Sequence, residues 1–224
     1  MSCGEPGSHP FSVVSSRDVY TGRVIALRAD EVRMPGGATA TREVVEHLGA
    51  VAVLALDTEN AVTMVHQYRH PLGRRLWELP AGLLDVAGET AVHAARRELA
   101  EEAGLAAESW SVLVDVAASP GFTDEVVRVF LARELSSVGR EIADGDEETD
   151  LVVGRFPLEQ AVRMVLAGEV VNASSVAGIL AAWAVVAGGL PARTVEAAWP
   201  DRPTRFAARR APGSAPGEEA TLAG

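Results

Sequence analysis

Between Gly82 and Leu105 the chain reads GLLDVAGETAVHAARRELAEEAGL, and this stretch restricts the possible folds more than any other. From Thr90 to Ala103 it is rich in Ala, Leu, Glu and Arg with no Gly or Pro, which predicts a helix. At about 100° per residue, Val92, Ala95, Leu99 and Ala103 fall on one apolar face. Glu98 and Glu102 stand one turn apart on the flank of that stripe, so both are expected to be partly enclosed. Like charges at this spacing weaken a helix unless something neutralises them. A hard divalent cation such as Mg2+ takes carboxylate oxygens and keeps waters that substrate phosphates can replace, so it is the natural partner. The competing reading is a solvated acidic face.

Composition narrows the setting. The 224 residues are 48% hydrophobic and 23% charged, as in an ordinary globular protein. A net charge of −11 speaks against a general nucleic-acid binder, which needs a basic face. It does not speak against a small phosphate-bearing substrate, because a bound cation supplies positive charge locally. Cys3 is the single cysteine, so no intramolecular disulfide is expected. The opening MSCGEPGSHP has no basic start and no apolar core, and a cytoplasmic protein is expected. The longest apolar run, Val176 to Leu190, is shorter than the roughly 18 residues of a membrane span and reads as a buried helix; no membrane partner is expected.

Along the chain, Phe11 to Val19, Arg23 to Met34 and Ala38 to His47 read as strands, with turns at Thr21-Gly22 and Pro35-Gly36-Gly37. A small sheet of this kind is marginal alone and suits a dimer surface. Gly49 to Leu56 is a continuous apolar run, as for a strand buried on both faces. Ala61 to Gln67, Trp110 to Ala117, Glu125 to Ala132 and Leu151 to Phe156 are further strands. Leu158 to Leu166 and Ser174 to Ala187 are helices, and Glu141 to Asp150, with six acids and no apolar period, is a loop. From Pro200 the composition predicts a disordered tail. Strands, helix, strands, helices imply an α/β/α sandwich around a mixed sheet with a small N-terminal antiparallel sheet. The expected divisions are 1–47, an N-terminal β region for dimerisation; 48–195, the main domain; and 196–224, the tail.

Glu89, seven residues, then Arg97-Glu98-Leu99-Ala100-Glu101-Glu102-Ala103-Gly104-Leu105 resembles the signature of the Nudix hydrolases, whose box is Gly, five residues, Glu, seven residues, Arg-Glu-apolar-x-Glu-Glu-x-Gly-apolar. Here six residues, not five, separate Gly82 from Glu89, an extra residue that Gly88 is able to absorb. Gln67-Tyr68-Arg69, the lead-in Glu78-Leu79-Pro80-Ala81-Gly82, Ser119-Pro120-Gly121, Gly168 to Asn172 and the N-terminal strands resemble the ADP-ribose pyrophosphatase branch. Pro120 stands fifteen residues beyond Leu105, near the spacing of that branch.

The resemblance implies a Nudix-type sandwich that hydrolyses the diphosphate of ADP-ribose to AMP and ribose 5-phosphate with Mg2+, Mn2+ being an alternative. It implies metal ligation by Glu98, Glu102 and the backbone carbonyl of Ala81. Glu101 would ligate a second metal or pair with Arg97. The general base would come from the acidic loop, with Glu147 ahead of Glu148 as the candidate. Arg69 would clamp phosphate or form a structural ion pair. Ser119, Gly121 and Glu125 would line the substrate pocket, and Arg42 and Glu43 would reach substrate across a homodimer. Trp77 and His66 read as packing residues. Two other readings stand beside this one: hydrolysis of another nucleoside diphosphate derivative (a sugar nucleotide, NADH or a flavin dinucleotide), and a non-catalytic nucleotide sensor.

Overall fold

A computed structural model describes residues 10–140 and 150–209. Its contacts divide the chain into two compact units. The first takes the described residues 10–48, 119–125 and 203–209, and the second takes 49–118, 126–140 and 150–202.

In the first unit, β1 (Ser12–Thr21), β2 (Ile25–Arg33) and β3 (Thr39–His47) form an antiparallel sheet in that order. The turns fall where Gly allows them; Gly37 has φ +87° and donates its N–H to the Met34 carbonyl. The 119–125 loop is fixed to β3 by the Val45 N–H to the Phe122 carbonyl (2.7 Å) and the Asp124 N–H to the Val45 carbonyl (3.2 Å). A short helix, Arg205–Arg209, brings two guanidinium groups to the fully buried Glu46, each through Nε at 2.9 Å. Arg28 of β2 completes that ring of cations. Phe206 is fully buried within this unit.

The second unit holds a seven-stranded mixed sheet ordered β10-β5-β4-β9-β8, with β6 beside β5 and β7 beside β4. Its strands are β4 (Ala50–Leu56), β5 (Ala61–Arg69), β6 (Arg74–Glu78), β7 (Ala81–Leu83), β8 (Leu105–Ala117), β9 (Val126–Ser137) and β10 (Val152–Pro157). β4 runs parallel to β9, and the other pairings are antiparallel. Every residue of β4 is buried, as its unbroken apolar run predicts. Its alternate residues feed two cores. Ala52 and Leu54 pack with α2 (Leu158–Leu166) and α3 (Ala173–Gly188), while Val51, Val53 and Ala55 pack with α1 (Ala91–Ala103) on the opposite face. The expected α/β/α sandwich is therefore present.

Several segments differ from the sequence reading. Arg74–Glu78 is a strand, since it pairs in register with β5 from Val65↔Glu78 to Arg69↔Arg74. The segment 196–209, expected to belong to a disordered tail, is ordered. Arg128 donates to the Ala197 and Ala198 carbonyls (2.8 and 2.9 Å) and lies 4.6 Å over the Trp199 ring, while residues 205–209 form the helix already described. A composition poor in periodicity hid these separate anchors.

Candidate functional site

Helix α1 starts at the Thr90 N-cap, whose hydroxyl accepts from the His93 N–H, and stops at Gly104 in the left-handed conformation (φ +65°). Between these caps, Ala94, Ala95 and Leu99 anchor it in the core. The same rotation carries the Glu98 and Glu102 side chains inward, and both are buried. Arg97 gathers the acids around it. Its Nη1 donates to Glu98 (2.6 Å) and Glu101 (3.1 Å), and its Nε and Nη2 donate to the two oxygens of Glu89 (3.3 and 3.2 Å). The extra residue ahead of Glu89 is taken up in a turn in which Gly88 has φ +80° and the Glu89 N–H bonds the Val86 carbonyl, so Glu89 still reaches Arg97.

The segment entering the site is held just as closely. The Pro80 carbonyl accepts from the Val53 N–H (2.8 Å), and the Ala81 N–H donates to Glu102 Oε2 (2.9 Å). The Leu79 N–H donates to the Ser175 hydroxyl (2.9 Å), which in turn donates to Asn172, the N-cap of α3. Gly82 packs against Glu98: a Cβ built there would lie 1.9 Å from Glu98 Oε1. Any larger residue there displaces that carboxylate from its seat against the backbone, which gives the glycine at the head of the motif a physical reason.

Charge in the cluster is out of balance. Burial pushes the Glu98 carboxyl above the usual glutamate range; Arg97 opposes this by charge and hydrogen bond, while Glu101 and Asp85 push it further up. The hydrogen bond to Glu89 is the largest influence on Arg97, and with the neighbouring carboxylates it raises the guanidinium pKa despite burial. A buried carboxylate that shares one arginine with two others, on a helix with a further buried carboxylate, has the donor chemistry of a divalent-cation site: hard oxygens with surplus negative charge. Among the described residues no three His, Cys, Asp or Glu side chains converge in a ready-made metal cluster. Arg97 and the Ala81 N–H hold the carboxylates instead.

Of the expected site residues, Ala81, Glu98, Glu101 and Glu102 come together. Arg69, at the end of β5, pairs with buried Glu78 (2.6 Å), the ion-pair alternative for this residue. Ser119, Gly121, Glu125, Arg42 and Glu43 belong to the first unit. Glu147 and Glu148 lie outside the described residues. His66 stacks on Trp77 (4.6 Å), whose ring meets Phe156 edge-on (4.9 Å), so both pack as expected. The sequence reading missed Asp85 and the Asn172–Ser175–Leu79 relay. The Asn172 cap three residues ahead of Ser175 was the available signal for the relay.

The model of the NUDIX domain matches residues 39–177, and that of the nucleoside diphosphate sugar hydrolase N-terminal domain matches residues 12–45. The chain is 56% identical over 203 residues to a Mycobacterium tuberculosis protein named ADP-ribose pyrophosphatase, covering 91% of this chain and 98% of that one. It is 41% identical over 162 residues to a Bacillus subtilis protein of the same name, covering 72% and 86%. Among solved structures, one described as an ADP compounds hydrolase superposes with a TM-score of 0.70 at 18% identity, covering 81% of this chain and 96% of that one, a likeness of fold.

Proposed function

The chain belongs to the Nudix hydrolase family, on its ADP-ribose pyrophosphatase branch, and on that premise we propose that it hydrolyses ADP-ribose to AMP and ribose 5-phosphate with Mg2+, or Mn2+ in its place. The observation that carries this reading is the intact carboxylate set of α1, with buried Glu98 seated against Gly82 and Glu102 held by Ala81. Glu98, Glu102 and the Ala81 carbonyl would hold the cation, with Glu101 available to a second. Bound there, the cation would neutralise charge on the diphosphate and lower the pKa of water. Glu147, or Glu148 beside it, takes a proton from the attacking water as its oxygen bonds to phosphorus. The phosphorus–oxygen bond of the diphosphate bridge breaks, and its electron pair leaves with the departing phosphate. Arg97 holds Glu98 and Glu101 in place while the site is empty of metal and carries no proton in the reaction.

Arg69 gives up part of its Glu78 contact to grip phosphate oxygens. By likeness to the branch, Ser119, Gly121 and Glu125, with Arg42 and Glu43 in a homodimer, complete the set of residues proposed to bind substrate. Among the described residues no helix is long and apolar enough to cross a membrane. A second reading, hydrolysis of a sugar nucleotide, draws on the family named by the match over residues 12–45. The test is a panel of ADP-ribose, sugar nucleotides, NADH and flavin dinucleotide with Mg2+ or Mn2+, scored by released AMP or phosphate. ADP-ribose is expected to give the highest kcat/KM; a higher value for NADH or a sugar nucleotide replaces the substrate assignment.

A further inference from the structure

Leu79 and Pro80 join β6 to β7 outside either strand, and side chains from two helices fix the backbone there. Pro80 has no N–H, so the donors of the link are Leu79 and Ala81. The Ala81 N–H goes to Glu102 of α1 (2.9 Å), and the Leu79 N–H goes to the Ser175 hydroxyl of α3 (2.9 Å). A hydroxyl has a single proton to give. Ser175 commits it to Asn172 Oδ1 (3.0 Å), which leaves its lone pairs for Leu79. The same Asn172 oxygen accepts from the Ser175 N–H (3.0 Å) and the Ser174 hydroxyl (2.8 Å), so the cap that starts α3 also aims the serine. Packing supports the contact. Gly178 lies three residues on along the same face of α3, and a Cβ built there would stand 2.8 Å from Leu79 Cδ1 and 2.9 Å from Val129 Cγ1. Leu79 and Ser175 are both fully buried, so their bond is shielded from water.

We propose that Ser175 is a positioning residue for the cation site of α1: its hydroxyl fixes the Leu79–Ala81 link, and through that link the Ala81 carbonyl and the Glu102 carboxylate bonded to the Ala81 N–H. This role rests on the reading that Glu98, Glu102 and the Ala81 carbonyl hold the cation. Ser175 acts through backbone and touches neither cation nor substrate. The two N–H groups of the link are divided between α3 and α1, so losing the first lets the link and its carbonyl shift against the helix carboxylates. Partners that orient ligands in this way tune the affinity of a site for its metal. A bond that only satisfied a buried N–H would cost stability when lost and leave the folded protein's metal affinity as it was.

The test sets Ser175→Ala beside Ser174→Ala in the full chain. Both serines stand on the first turn of α3 and both donate to Asn172, but it is Ser175 that bonds the Leu79 N–H. Calorimetric titration of Mn2+ without substrate is expected to show about tenfold weaker binding in Ser175→Ala, against less than about twofold in Ser174→Ala. The Mg2+ concentration that gives half-maximal hydrolysis is expected to rise by a similar factor in Ser175→Ala. Ser175→Cys fills nearly the same space with a weak acceptor, is expected to weaken Mn2+ binding in the same direction, and carries the comparison if the alanine variant fails to fold. Equal Mn2+ affinity in the Ser175 variants and Ser174→Ala overturns the proposal and leaves the cation site standing. A parent chain that binds no Mn2+ at millimolar metal refutes the cation-site reading instead, and the proposal falls with it.

Discussion

In the first unit the buried carboxylate of Glu46 faces three guanidinium groups, from Arg28, Arg205 and Arg209, whereas in the second a single guanidinium, Arg97, faces Glu89, Glu98 and Glu101. Both clusters bury a glutamate, and their charge ratios are opposite. Around Glu46 the desolvation of one anion is offset by cations that the fold brings from a strand and from the 205–209 helix. Around Glu98 the negative charge is left in excess, and burial with the nearby acids holds that carboxyl above its usual range. A cluster balanced by its own arginines has no need of a ligand. A cluster left acidic beside Gly82 has the surplus charge that suits the proposed divalent cation.

The largest expected effect separates the two clusters by chemistry. Glu98→Gln should lower kcat by orders of magnitude while its melting temperature in metal-free buffer stays near that of the parent, because an amide in that place sheds a buried charge and Arg97 keeps Glu89 and Glu101. Glu46→Ala should do the reverse to the fold. Removing the anion leaves arginines facing one another, at a cost of about 3–5 kcal/mol read from denaturant unfolding. If Glu98→Gln unfolds the protein, or Glu46→Ala leaves its stability unchanged, the contrast fails.

Smaller perturbations sharpen it. Gly82→Ala forces a methyl group into the Glu98 carboxylate, and about a 10- to 100-fold loss of Mg2+-dependent activity is expected in a metal titration. Arg205→Ala, at a half-exposed arginine of the Glu46 cluster, should cost about 1 kcal/mol or less, against more for Arg209, which also pairs with Asp18. The smallest effect is in pH. At Asp30 burial raises the carboxyl pKa, but hydrogen bonds from Ser16 and Arg28 with the arginine charges outweigh it, and the value falls below the ordinary 3.8. Its contribution to stability is therefore present above 3.8 and lost as pH falls through the lowered folded value. Asp30→Asn should flatten the acid side of the stability curve below about pH 4 and leave the neutral side's slope unchanged.

The helix with its two inward glutamates was legible in the sequence because local propensity, apolar period and capping all agree over Thr90–Gly104. Leu158–Leu166 was legible from propensity and apolar period, without a side-chain cap, and β4 because seven apolar residues in a row have no other place to go. What escaped was set by partners remote in sequence. β8 begins at Leu105 rather than near Trp110, since Leu105 to Ser109 pair with the end of β9 although Ala, Glu and Ser are weak strand formers. Asp85 gains meaning only through its charge acting on Glu98, and Glu46 only through the arginines of residues 205–209. No local pattern marks such residues, because the signal is the charge of a neighbour brought close by folding.

Calorimetric titration of Mn2+ into the metal-free full chain, set beside Glu98→Gln and Glu102→Gln, decides whether the α1 carboxylates form the proposed metal site. The expected result is saturable binding in the parent, loss of at least about tenfold in affinity in each variant, and unchanged melting of the variants before metal is added. Equal affinity in parent and variants, or no binding to the parent at millimolar metal, would contradict it.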